Sequence, residues 1–220
     1  MQRVHLSAIV LIGGMLFSSA ASAQGVSAIE RPDKPGQGIQ RNSPFMRVLG
    51  SAQPPHGFVR FCEANPQECS SDGGQEARFE ASAERLKELD DVNRRINREI
   101  DPATDLEIYG VNEYWTIPRT RGDCEDYALL KRQTLIGLGW PVSSVLMTVV
   151  RDEKGEGHAV LTARTVQGDF ILDNKIEDVR LWSQTPYQFV MRQSYLNPKV
   201  WVALNSRQGP MAALSGVDAD

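Results

Sequence analysis

The stretch Arg121-Gly122-Asp123-Cys124-Glu125-Asp126-Tyr127-Ala128-Leu129-Leu130-Lys131 places a cysteine where loop gives way to helix. A helix beginning near Asp123 runs through the apolar residues 127–130 to Leu138, and Gly139-Trp140-Pro141 ends it. A thiol at a helix N-terminus faces unpaired backbone N–H groups and the positive end of the helix dipole. Both favour the thiolate, which is the nucleophile. Structural burial is the commoner fate of a free cysteine, but the charged neighbours Asp123, Glu125 and Asp126 point to an accessible thiol.

Beyond this helix the period changes to that of strands. Residues 143–150, 158–164 and 170–173 are rich in branched side chains and are separated by Gly-containing turns at 155–157 and 167–168. His158 opens the second of these strands and Asp173 closes the third. With residues 164–167 as a four-residue connection, Asp173 lies opposite His158. A tight turn at Gln167-Gly168 instead puts it opposite Thr162, on the same face but roughly 13 Å along the strand. Loops of that length and bulges are both ordinary, so a carboxylate can orient the imidazole. Such an Asp would fix the tautomer and steady the imidazolium formed when the thiol loses its proton.

Toward the N-terminus, Phe79, Ala83, Leu86, Leu89, Val92, Ile96 and Ile100 recur every three or four positions, predicting an amphipathic helix over 76–100. Asp101-Pro102 stops it, because the residue before proline is pushed out of the helical region. Residues 109–118 form a short aromatic connection carrying Trp115. Helix, helix, then antiparallel strands is an α+β layout, with the nucleophile-bearing helix packed on an antiparallel sheet. Short elements follow at 187–193 and 199–204, and the small, polar tail 206–220 is expected to be disordered.

The N-terminus carries one basic residue, Arg3, an apolar stretch over 4–17, and then Ala21-Ser22-Ala23. That pattern reads as a secretory signal, residues 1–23, cleaved after Ala23. The competing reading is a membrane anchor, for which about 14 apolar residues are short. Residues 24–57, rich in Pro, Gly, Ser and Gln, read as a flexible arm, leaving one domain over 58–205. The mature chain balances 23 basic against 28 acidic residues with no basic cluster, which argues against a nucleic-acid partner. No later segment is apolar and long enough for membrane insertion.

Export sends three cysteines into an oxidising compartment. Cys62 and Cys69, close together in FCEANPQEC with Pro66 turning the chain, are the natural disulfide pair, which leaves Cys124 free. Pairing either with Cys124 is the alternative, since sequence does not fix connectivity. His5 departs with the signal, so only His56 and His158 remain. His56, behind two prolines, is the poorer base.

The acidic flank of Cys124 conflicts with thiolate formation, because Asp123 and Glu125 should raise its pKa. A bound cation would remove the conflict, and carboxylate oxygens suit Ca²⁺. Capping of the helix by Asp123 is the alternative role. The spacing is not that of an EF-hand.

Together, GDCEDYALLKR, GHAVL, LDN and an upstream EYW-x-x-P resemble the bacterial transglutaminase-like cysteine peptidase family, which includes the LapG-type periplasmic proteases. The resemblance runs from the Cys62/Cys69 segment to Trp201. It implies a papain- or transglutaminase-like core, with a Cys124, His158, Asp173 triad. It also implies a calcium site on Asp123 and Glu125, with Asp126 a further candidate. The implied localisation is the periplasm and the implied substrate a large surface adhesin, so that cleavage regulates biofilm attachment. An inner-membrane cyclic di-GMP receptor is the implied regulatory partner. A transglutaminase or cell-wall peptide hydrolase using the same triad, and a non-catalytic calcium-binding module, are the alternatives.

Overall fold

The computed structural model describes residues 43–71, 73 and 78–204. The expected signal, most of the arm and the C-terminal tail lie outside the described residues. The described elements, in order, are β1 (Gly50–Ala52), α1 (His56–Ala64), α2 (Ala83–Glu99), β2 (Asp101–Pro102), α3 (Asp105–Tyr109), β3 (Arg121–Gly122) and α4 (Cys124–Gly137). Then come β4 (Val145–Arg151), β5 (Gly157–Thr165), β6 (Gly168–Leu172), β7 (Arg180–Leu181), β8 (Gln188–Gln193) and β9 (Trp201–Ala203). No helix among them is long and apolar enough to cross a membrane.

Seven strands form an antiparallel sheet in the order β1-β9-β8-β4-β5-β6-β7. This is the α+β arrangement expected from the sequence. Residues 50–52, expected in a flexible arm, instead pair with β9 and form one edge of the sheet.

The apolar stripe of α2 is realised by Leu89, Val92 and Ile96, which are buried with Ala128 and Leu135 of α4 and Met147, Val149, Ala159 and Leu161 of the sheet. Apolar burial of this kind is the main stabilising contribution, and each such Leu or Ile gains roughly 2 kcal/mol. A smaller cluster holds Met46, Val150, Val160, Ile171, Trp182, Tyr187, Phe189 and Leu204. The α2 helix starts at Ala83, later than the periodicity predicts, because the Ser82 side chain caps it by accepting from the Arg85 N–H. Phe79, expected within that helix, instead bridges to Thr165 beside β5.

The hairpin between β5 and β6 also departs from both expected registers. Thr165 pairs with Gly168 and Leu161 with Leu172, so the turn is the two residues Val166-Gln167. The Thr165 hydroxyl organises it, accepting from the Gln167 N–H and donating to the Gly168 carbonyl. The tight turn expected at Gln167-Gly168 thus falls one residue earlier, which shifts Asp173 along the strand from either expected position.

Candidate active site

The α4 helix begins where β3, a two-residue strand pairing in parallel with β2, delivers the chain to Asp123. Tyr127 N–H bonds back to the Asp123 carbonyl, the first turn of the helix. Gly139, in the left-handed region at φ +91°, closes the other end as the Trp140 N–H reaches the Leu135 carbonyl. The helix packs its length against β5 and β4. Cys62 and Cys69 are joined in a disulfide, and Cys124 is the free thiol. From α4, Arg132 donates to the Glu68 carbonyl and to that of Val145, tying the disulfide loop to the helix and sheet.

Cys124 and His158 line one cleft together with Gly122, Gly157, Asn174 and Lys175. The Ala159 N–H points at the Cys124 sulfur, 3.4 Å away. His158 Nε2 lies 2.8 Å from Asp173 Oδ1, with both side chains buried. His158 and Asp173 therefore meet despite the register shift, because Asp173 lies just past the end of β6. The Asp173 backbone is pinned on both sides: its N–H donates to Asn93 Oδ1 and its carbonyl accepts from Asn97 Nδ2, both on α2. Burial opposes ionisation of Asp173, but hydrogen bonding and charge from His158, with help from Tyr187 and the Lys175 N–H, hold its carboxyl below the usual range.

The electrostatics of the thiol run the other way. Burial first, then the charges of Glu125 and Asp123, push the Cys124 thiol well above its ordinary value. Its S–H sits 3.2 Å from Glu125 Oε2 as a donor. The charged neighbours do not mark an exposed turn, since Glu125 and Asp126 are both fully buried.

Asp123 belongs to a carboxylate cluster. Oxygens of Asp105, Asp123 and Asp126 lie within 4.8 Å of one another. Each carboxylate uses one oxygen on a backbone N–H. Tyr114 N–H donates to Asp105 Oδ2, Asp105 N–H to Asp123 Oδ2 at 3.2 Å, and Thr116 N–H to Asp126 Oδ1 at 2.9 Å. The second oxygen of each is buried without a partner among the described residues. Burial, and then mutual repulsion with Asp123 and Glu113, raises the Asp105 carboxyl to about 6. Burial first raises Asp126 to about 8, with repulsion from Asp123 and Asp105 adding to it. Such a set of hard, unsatisfied oxygens is what a Ca²⁺-sized cation takes.

The sequence named Asp123 and Glu125, and the geometry groups Asp123 with Asp105 and Asp126. Glu125 faces the thiol, although its Oε1 is also buried without a partner among the described residues. Asp105 escaped notice because Thr104-Asp105-Leu106-Glu107 reads as a helix start. Thr104 and Glu107 do form a complete capping box, beside which Asp105 reads as an acidic residue of the first turn favoured by the helix dipole. Tyr187, which donates to Asp173 Oδ2, also escaped, as a lone tyrosine at the head of a strand carries no motif.

A fold with a nucleophile-bearing helix on an antiparallel sheet and a cysteine sharing a cleft with a His–Asp pair defines the class of papain- and transglutaminase-like thiol enzymes. The family model described as bacterial transglutaminase-like cysteine proteinase matches residues 48–209, and the chain belongs to that family. Solved structures with partial likeness include three of Legionella pneumophila LapG. A calcium-bound form is 23% identical over 58% of this chain and 72% of its own, with a TM-score of 0.46. Another is 26% identical over 55% and 70%, also at 0.46, and an EGTA-treated form is 27% identical over 49% and 62%, at 0.42. No curated protein gives a significant match.

Proposed function

We propose that this protein is an exported, calcium-dependent cysteine endopeptidase that cuts a large surface adhesin, with Cys124, His158 and Asp173 as its catalytic triad. The observation that carries the proposal is the buried His158–Asp173 pair, 2.8 Å apart, in the cleft that holds the free thiol. His158 takes the Cys124 proton as sulfur attacks the scissile carbonyl carbon. The tetrahedral intermediate places its oxyanion near backbone N–H groups, that of Cys124 being one donor. His158 then returns the proton to the leaving amine as the C–N bond breaks. Water, deprotonated by the same imidazole, resolves the thioester and restores the thiol. Asp173 holds the imidazole in one tautomer throughout.

Asp105, Asp123 and Asp126 would hold the calcium ion, because their inward oxygens are otherwise buried and unsatisfied. When bound, the ion supplies positive charge that neutralises the acidic cluster beside the thiol. Without it, the cluster opposes the thiolate. Regulation by an inner-membrane cyclic di-GMP receptor fits a protease acting in the periplasm on adhesion, and would act on this chain after export through residues 1–23.

The test is incubation of the purified protein with the large adhesins encoded by the same organism, with Ca²⁺ or with EGTA, followed by mass mapping. Cleavage at one position, present with Ca²⁺ and absent with EGTA, supports the proposal. Intact adhesins in both arms contradict it.

A further inference from the structure

We infer that Tyr187 is a positioning residue for the His158–Asp173 pair, locking both the carboxylate plane and the imidazole ring. The inference rests on the proposed cysteine-peptidase chemistry. Two donors, His158 Nε2 at 2.8 Å and the Lys175 N–H at 3.0 Å, converge on Oδ1 of Asp173. Both bonds to Oδ1 resist rotation about Cβ–Cγ, but with Oδ2 unheld the carboxylate can still tilt Oδ1 out of the imidazole plane by stretching them. The Tyr187 hydroxyl donates to the other oxygen, Oδ2, and removes that freedom.

The same tyrosine contacts the second member of the pair. Its ring stands edge-on to the His158 imidazole, with centroids 5.6 Å apart and planes at 65°. One side chain thus limits rotation of both the base and its orienting carboxylate. Tyr187 is itself fixed, being buried in the cluster of Trp182 and Phe189 just ahead of β8. Burial, then the nearby Asp173 charge, pushes its phenol well above the usual range, so it stays a proton donor at any working pH. Loss of one donor to a buried carboxylate matters because a charge-assisted hydrogen bond is about twice as strong as a neutral one.

The experiment uses the full-length protein in excess Ca²⁺ and needs no substrate. The rate of Cys124 alkylation by iodoacetamide is measured at one neutral pH for wild type, Tyr187→Phe, Phe61→Leu and His158→Ala, alongside thermal melts. The phenylalanine at 187 keeps the ring and removes only the hydroxyl. The expected result is an alkylation rate about tenfold lower in Tyr187→Phe, short of the roughly 10²–10⁴-fold that losing a whole general base costs. Phe61→Leu, in the buried cluster on the α1 side of the fold, should lower the melting temperature without slowing alkylation, which separates positioning from mere packing. In NMR, the downfield Nε2–H proton of His158 should broaden in Tyr187→Phe and persist in Phe61→Leu. A wild-type alkylation rate and an unchanged His158 proton in Tyr187→Phe overturn the inference, provided His158→Ala is slow. An unchanged rate in His158→Ala overturns the triad instead.

Discussion

Lys131 lies on the buried face of α4, and its amine has no hydrogen-bond partner among the described residues. It lies 5.7 Å from the centroid of the Tyr127 ring and feels the charge of Asp173. Burial lowers its pKa from the ordinary 10.5 to about 7. At about 1.36 kcal/mol per pH unit that drop corresponds to about 5 kcal/mol, and relaxation around a buried ion leaves roughly 3 kcal/mol. The unfolded chain keeps this proton up to its ordinary pKa while the folded chain releases it from about 7. The unfolded state therefore binds more protons across that window, and wild-type stability rises with pH through it. Lys131→Met keeps the stem volume and deletes the charge. At pH 6–7 the variant should be more stable by roughly 3 kcal/mol, a melting shift of about 6–12 °C for a chain of this size. By pH 10 the gap should shrink to under about 1 kcal/mol. Urea unfolding of both proteins at stepped pH measures it. A destabilised variant at neutral pH, or a gap that does not change with pH, would refute the reasoning and mean that the amine has a partner.

Four further outcomes follow from named contacts. Calcium at about 100 times its dissociation constant should add about 2.7 kcal/mol and raise the melting temperature by about 5–10 °C. Asp126→Asn should lose most of that gain, and superimposed melts in Ca²⁺ and EGTA count against the site. Because Asp105 and Asp126 titrate high when folded, stability without calcium is present at low pH and lost as pH rises from about 4 toward 8. The calcium effect should therefore be larger at pH 8 than at pH 5. At Gly122, a Cβ would stand 2.7 Å from Asp126 Oδ2 and 2.8 Å from its Cβ. Gly122→Ala should thus displace Asp126 and weaken calcium binding about tenfold or more by titration calorimetry, whereas wild-type affinity would show that the strand can yield. Replacing Cys62 and Cys69 by serine opens an eight-residue loop and should cost about 2.5 kcal/mol in denaturant midpoints. No change there would mean that the bond constrains nothing.

The fold class was legible because the helical stripe of α2 and the branched strands β4, β5 and β6 carry strong, distinct periods. The motif around Cys124 placed that cysteine at a helix start, and α4 begins at that residue. What stayed hidden was tertiary. Register in the β5–β6 hairpin turned on a Thr165 hydroxyl organising a two-residue turn that lacks the usual Asn-Gly signature. Burial of Glu125, Asp126 and Lys131 within one helix defies the rule that charges mark solvent, and only long-range packing by α2, β3 and the sheet makes it visible. Asp105 joins the acidic cluster from 18 residues upstream of Asp123, and no spacing rule links two such positions. Tyr187 reaches Asp173 from just ahead of β8, 14 residues further along the chain.

The central claim is that the Cys124 sulfur performs the cut. The direct measurement compares wild type with Cys124→Ala on the same adhesin in Ca²⁺, reading the cleavage rate by quantitative mass spectrometry. Far-UV circular dichroism confirms that the variant is folded. A loss of activity to background in a folded Cys124→Ala, with the cut position intact in wild type, is the predicted result. Cleavage by the folded variant at a rate near that of wild type would contradict the account.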